Sequence, residues 1–198
     1  KDKVIYKYDL SQFRTDKFSK EINLVRSLYD EKERIIQALI LNLYRQELAT
    51  INNVNLKPVI LFKAKKTIKE SEQNKENFHK LIDEFSETMV EKIKKTSTVP
   101  IVQKAFQFFE AKNISFNEIA KRIHNNFREE NCLSANNDSE AEKNQILLNT
   151  LEDENNPIRA VFAVQKLNEG WDVLNLFDIV RLYEDRDGKD GKPGKTTL

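Results

Sequence analysis

The stretch IRAVFAVQKLNEGWDVLNLFDIVRLYE, residues 158–184, holds two apolar runs separated by a polar loop. Pro157 introduces the first run, IRAVFAV, which is short and continuous and reads as a strand buried on both faces. NEGWDVLN, residues 168–175, reads as a loop, and FDIVRLY, residues 177–183, as a further buried strand. The loop carries Gly170, while residues 1–169 contain no glycine. The other three glycines of the chain, Gly188, Gly191 and Gly194, fall in the tail. A glycine-free body is built from helices, short strands and turns with negative φ. Gly170 therefore marks a point where backbone can approach a ligand closely.

Upstream, Pro58 precedes VILFKAK, residues 59–65, another continuous apolar run of the buried-strand type. NCLSANN, residues 131–137, reads as a short strand followed by polar residues, and VIYKYD, residues 4–9, alternates like a strand. Helices fill the intervals. Asp30 with Glu33 resembles a capping box before Ile36, Leu39, Ile40 and Leu43. Thr67 with Glu70 caps a helix that presents Phe78, Leu81, Ile82 and Phe85. Pro100 opens a helix with Ile101, Ala105, Phe106 and Phe109, and Ser115 with Glu118 caps one with Ile119, Ile123 and Phe127. Ser139 with Glu142 caps a helix carrying Ile146, Leu147 and Leu151. Apolar strands alternating with helices predict an α/β layered domain with a mostly parallel sheet and helices on both faces. It extends over residues 56–198, and residues 1–55 form a connector, a strand and a long helix that dock on something.

Composition narrows the function. The 198 residues carry 33 Lys+Arg against 32 Asp+Glu, so no global basic excess signals nucleic acid and any such site must be a local patch. A single cysteine, Cys132, fits a reducing cytoplasmic location better than a secreted one, and it reads as a small buried apolar residue. His79 and His124 sit in no ligand-spacing motif, and no metal site is expected. No apolar run is long enough to span a bilayer.

The tail GKPGKTT, residues 191–197, resembles the end of a phosphate-binding loop, G-x-x-x-x-G-K-[ST]. With Gly194-Lys195-Thr196 as its second half, the first glycine would fall at position 189, which is Lys189. The tail reads instead as a loop of Asp-Gly and Pro-Gly turns. The better candidate is the loop after IRAVFAV. Ligands of open α/β sheets bind outside the carboxyl ends of the strands, and there Glu169 and Asp172 flank Gly170. The default reading of Trp171 is packing and that of Asp178 an end cap.

NEGWDVLNLFDIV, residues 168–180, closely resembles motif V of superfamily 2 helicases and translocases. The longer KLNEGWDVLNLFDIVRLYE, residues 166–184, looks specifically like the Res (restriction and motor) subunit of type III restriction-modification enzymes. PVILFKAKKTIKES, residues 58–71, is similar to that family's motif IV region. CLSANNDSEAEKNQILLNTLEDENNPIRAVFAV, residues 132–164, resembles the strand, helix and strand that link the two. The resemblance implies the second of two RecA-like (P-loop NTPase-type) domains, from an ATP-dependent DNA translocase and endonuclease of bacterial defence. ATP with Mg²⁺ would bind in the cleft between the two domains, where phosphoryl transfer rests on positioning and charge stabilisation. Gly170 and Asp172 would face the nucleotide, and Glu169 would orient neighbouring groups. Gln165 and Lys166 would lie near the DNA backbone, and Lys63, Lys65 and Lys66 would supply further phosphate contacts without reading sequence. The implied partners are DNA, a first RecA-like domain of the same chain and a modification (methyltransferase) subunit. The sequence departs from the full pattern in having no Walker A, no acidic motif II, no arginine-rich motif VI and no nuclease motif. By itself it is expected to hold half a cleft, no catalytic residue and no activity. A non-catalytic α/β interaction module of RecA-like shape would instead form a stable partner complex and show no response to nucleotide.

Overall fold

In the computed structural model of the chain, residues 8–16, 30–136, 141–164 and 173–183 are described. Four strands form one all-parallel sheet: β1 Val59–Lys63, β2 Cys132–Ser134, β3 Ala160–Ala163 and β4 Leu176–Arg181, in the order β2-β3-β1-β4. The helices are α1 Leu10–Thr15, α2 Glu31–Ile51, α3 Ile68–Asp83, α4 Glu87–Thr96, α5 Pro100–Ala111, α6 Phe116–Asn126 and α7 Ala141–Asn149. This is the α/β layout expected of a RecA-like domain.

Local chemistry sets the helix starts. Asp30, Thr67 and Ser115 each accept a hydrogen bond from the backbone N–H three residues on, at 2.8, 3.1 and 3.2 Å, satisfying a donor that the helix cannot pair itself. Pro100 opens α5 without sacrificing a helical hydrogen bond. The helix ends correct one expectation, for the turns are not all of negative φ. Asn53 and Asn113 follow α2 and α5 with φ of 57° and 56°, the left-handed conformation in which asparagine substitutes for glycine. α4 was not separable in the sequence, since it buries only Val90 and Ile93. Of the strand expected over residues 4–9, residues 4–7 lie outside the described part; Asp9 instead caps α1 through Gln12 N–H at 3.0 Å.

Alternate residues of β1 enter two cores, as the pleat of a doubly covered sheet requires. Ile60 and Phe62 face α2, α3 and, beyond them, α4–α6; Val59 and Leu61 face Leu148 of α7, together with Leu151 and Ile158. On the larger side Phe62 stacks on Phe162 with centroids 5.0 Å apart, and Phe78 of α3 meets both rings edgewise or tilted. The long helix expected in the connector docks on this sheet face. Leu39 and Ile40 of α2 are fully buried in the same cluster as Ile60.

The strand read from FDIVRLY is β4, which among the described residues lies at an edge of the sheet rather than in its interior. Its exposure alternates, with Ile179 61% exposed and Phe177 38%, while Val180 turns inward. Asp178 is no end cap: it lies on the inward face and pairs with Arg45 of α2, which bridges helix and edge strand. Burial pushes its carboxyl above the usual carboxylate range, and Arg45 works against that shift. Cys132 is buried at the start of β2, as expected. Among the described residues no helix is long and apolar enough to cross a membrane.

Candidate functional site at the carboxyl edge of the sheet

All four strands run the same way, so their carboxyl ends meet along one edge, the position where parallel α/β sheets hold ligands. Three hydrogen bonds tie adjacent strand exits there. Leu182 N–H donates to the Lys63 carbonyl at 3.0 Å, and Ala64 N–H to the Ala163 carbonyl at 2.9 Å. Between β2 and β3, Ala135 N–H donates to the Phe162 carbonyl at 2.8 Å.

β1 delivers the lysines. Lys63 is its last residue, in register with Arg181 of β4, so two cationic residues lie side by side across the strand exits. Ala64 is buried and anchors the chain as it leaves the sheet. Lys65 follows, half-buried, its ammonium 5.7 Å from the centre of the Tyr183 ring. Lys66 is exposed; its backbone N–H donates to Glu70 at 3.3 Å, and Thr67 then caps α3. Lys63, Lys65 and Lys66 are thus gathered in one exit loop that runs into the start of a 16-residue helix. Backbone N–H groups and the helix dipole favour anions at such a start.

β3 delivers Val164 to the same edge. The candidates Gln165, Lys166, Glu169, Gly170 and Asp172 lie outside the described residues, as does the glycine-rich tail. Where the description resumes, Val173 packs with the smaller core, and Asn175 stands at the opposite, amino edge. There the Asn175 amide donates to the carbonyls of Leu151 and Lys57 at 2.6 and 3.1 Å.

Two polar residues with no assigned part in the sequence turn out to be buried in networks. Asn136, just past β2, donates to Ser71 Oγ at 2.9 Å and Glu72 Oε1 at 3.0 Å, and accepts from Val164 N–H at 3.2 Å. The only signal in the sequence was an asparagine at a strand exit. Arg159, at the entrance of β3, is 6% exposed with Phe127 below its guanidinium. It donates to Asn42, Gln46 and the Pro58 carbonyl at 3.0, 2.8 and 3.2 Å. A charge inside the run IRAVFAV was its signal. His79 and His124 line one small cavity together with Asp83 and Glu129. No group of three or more His, Cys, Asp or Glu among the described residues is placed to hold a metal ion.

Comparison with known proteins shows the family. No family model matches the chain, and no solved structure matches it. The chain is 37% identical over 220 aligned positions, covering 98% of its length, to the probable type III restriction-modification enzyme HindVIP Res subunit of Haemophilus influenzae. It spans 42% of that relative's length. An identity at this level across nearly the whole chain, on an all-parallel α/β domain, places the chain in the family of type III restriction-modification Res subunits.

Proposed function

We propose that the chain is the second RecA-like part of an ATP-dependent DNA translocase and restriction subunit. In this role its carboxyl edge supplies half of an ATP cleft and part of a track for the DNA backbone. The observation that carries the proposal is the similarity to a Res subunit along 98% of the chain. The geometry supports it: the exit loop Lys63–Thr67 and the exit of β3 lie on the edge where such a fold binds phosphates. In this reading Lys63, Lys65, Lys66 and Lys166 neutralise backbone phosphates, and Gln165 lies near the same backbone. Glu169, Gly170 and Asp172 meet the nucleotide.

ATP and Mg²⁺ are the implied cofactors, and the donor set present fits one side of such a site. Cations and a helix N-terminus suit phosphate oxygens, whereas the described residues offer no carboxylate cluster for the metal. The family resemblance implies that Mg²⁺ would take its ligands from the acidic motif of a first RecA-like domain. When bound, ATP supplies the phosphoryl group whose transfer drives translocation. This chain's residues would hold and orient it. The implied partners are DNA, that first domain and a modification subunit.

The test has two arms. In the intact protein, Asp172→Ala should reduce DNA-stimulated ATP hydrolysis at least tenfold; unchanged hydrolysis removes the nucleotide assignment. In the chain itself, duplex DNA binding should weaken with salt. Replacing Lys63, Lys65 and Lys66 by Ala should flatten the log–log salt slope by about 1 for each lysine that contacts a phosphate. A slope equal to that of the unaltered chain would take these lysines off the track.

A further inference from the structure

We propose that Asn136 is a positioning residue: it locks the exit of β3 at Val164 to the first turn of α3, and so sets the separation between that strand exit and the Lys63–Thr67 loop. This rests on the functional reading above and goes beyond it in naming what fixes the edge.

Main-chain pairing between β2 and β3 ends with Ser134 opposite Phe162 and the hydrogen bond from Ala135 to the Phe162 carbonyl. Beyond that point the Asn136 side chain takes over, its Oδ1 accepting from Val164 N–H at 3.2 Å. β3 is thereby held in place for one further residue. The other end of the same amide reaches α3, where Nδ2 donates to Ser71 Oγ at 2.9 Å and to Glu72 Oε1 at 3.0 Å. Both donors and one acceptor of the group are used, in a site where Asn136 is 6% and Ser71 1% exposed. Ser71 N–H donates to the carbonyl of Thr67, the cap of α3, and Thr67 directly follows Lys65 and Lys66.

A rigid path therefore runs from the lysine loop through Thr67, Ser71 and Asn136 to Val164. An apolar packing contact could not do this, whereas a primary amide offers two donors on one side and an acceptor on the other. Aspartate has the shape but no donors, and it would set a second carboxylate against Glu72. A strand exit and a lysine loop that serve one phosphate backbone need a fixed separation, and a small displacement removes the benefit.

The test uses the chain, fluorescein-labelled duplex DNA at low salt, and amide hydrogen exchange at Val164. Affinities are normalised to the fraction of protein that is folded and active. Asn136→Ala should weaken DNA binding about fivefold, the worth of about one net hydrogen bond, and should speed Val164 exchange at least tenfold. Asn136→Asp should weaken binding similarly. Adding Glu72→Gln to it should restore affinity to within twofold, because the glutamine amide can donate to the new carboxylate. A purely structural role would lower thermal stability and leave the normalised affinity unchanged, and that result overturns the proposal. So does an Asn136→Asp protein that binds like wild type or that Glu72→Gln fails to rescue. If Asn136→Ala does not fold, the aspartate pair decides. If the unaltered chain shows no DNA binding, the functional reading fails instead. In that event unchanged Val164 exchange in Asn136→Ala, which removes the acceptor, separately overturns the clamp.

Discussion

Arg159 gives the sharpest quantitative expectation. Its guanidinium is shielded at the entrance of β3, with hydrogen bonds to two side-chain amides and one carbonyl and none to a carboxylate. Burial alone holds its pKa down, at about 10 against 12.5. That difference corresponds to about 3 kcal/mol of unfavourable desolvation. Replacing Arg159 by Met removes three charge-assisted hydrogen bonds, about 1.5 kcal/mol each, and relieves the desolvation, for a net loss of about 1.5 kcal/mol. Asn42→Leu acts differently. It deletes an acceptor of the guanidinium and a donor to Pro58, and leaves the charge buried with one partner fewer. Breaking a buried charged network from the partner's side costs about 3 kcal/mol. The double variant has no stranded charge and should lose about 2 kcal/mol, short of the summed single losses by a similar amount. Urea unfolding followed by circular dichroism reads these values. At a slope of about 2 kcal/mol per molar, the Asn42→Leu midpoint falls by about 1.5 M. If Arg159→Met is the more damaging single change, or if the two losses simply add, the Asn42→Leu loss does not come from a stranded charge and this account of the network is wrong.

Two further expectations concern the core. Burial pushes the Cys132 thiol up to about 12 from 9.0, so the fold favours the protonated form; this contribution is whole below pH 9 and fades only as pH rises towards 12. At pH 8 a disulfide reagent should label Cys132 only as fast as the protein unfolds, and rapid labelling of the native chain would refute its placement. A chain beginning at residue 56 loses α2, where Leu39, Ile40 and Leu43 are each at most 1% exposed. It should show no cooperative urea transition, and a transition with an undiminished slope would show that the remainder folds without residues 1–55.

The strands and most helices were legible because their signals are local. β1 and β3 are continuous apolar runs bounded by Pro58 and Pro157, and three of the helices read in the sequence, α2, α3 and α6, begin with a side-chain cap three residues before its partner. β4 was mistaken for an interior strand because its sequence resembles theirs. Whether Phe177 and Ile179 are covered depends on the order of the sheet, and strand order is not a local property. Asp178 was misread for the same reason, its partner Arg45 lying 133 residues away. The lysine loop could be seen in the sequence as Lys63, Lys65 and Lys66 together. Asn136 could not, because it matters only through Ser71 and Val164, which the fold brings to it from distant parts of the chain.

The two ends of the sheet are pinned by different chemistry, and the difference suits the proposed use of the carboxyl edge. At the amino edge a full positive charge is buried, and three neutral acceptors hold it. At the carboxyl edge the buried pin is a neutral amide. A charged group in the position of Asn136 would act directly on a surface where Lys63 and Arg181 already stand in register. A cation there would add repulsion, and an anion would cancel part of the field that attracts phosphate. Asparagine fixes the geometry without adding to the charges already present, Lys63 and Arg181 on one side and Glu72 on the other. The Asn136→Asp variant therefore carries two penalties, a lost clamp and an added negative charge, and salt separates them. The electrostatic part of its defect should shrink as ionic strength rises, because screening removes it, while the part due to the lost clamp should persist.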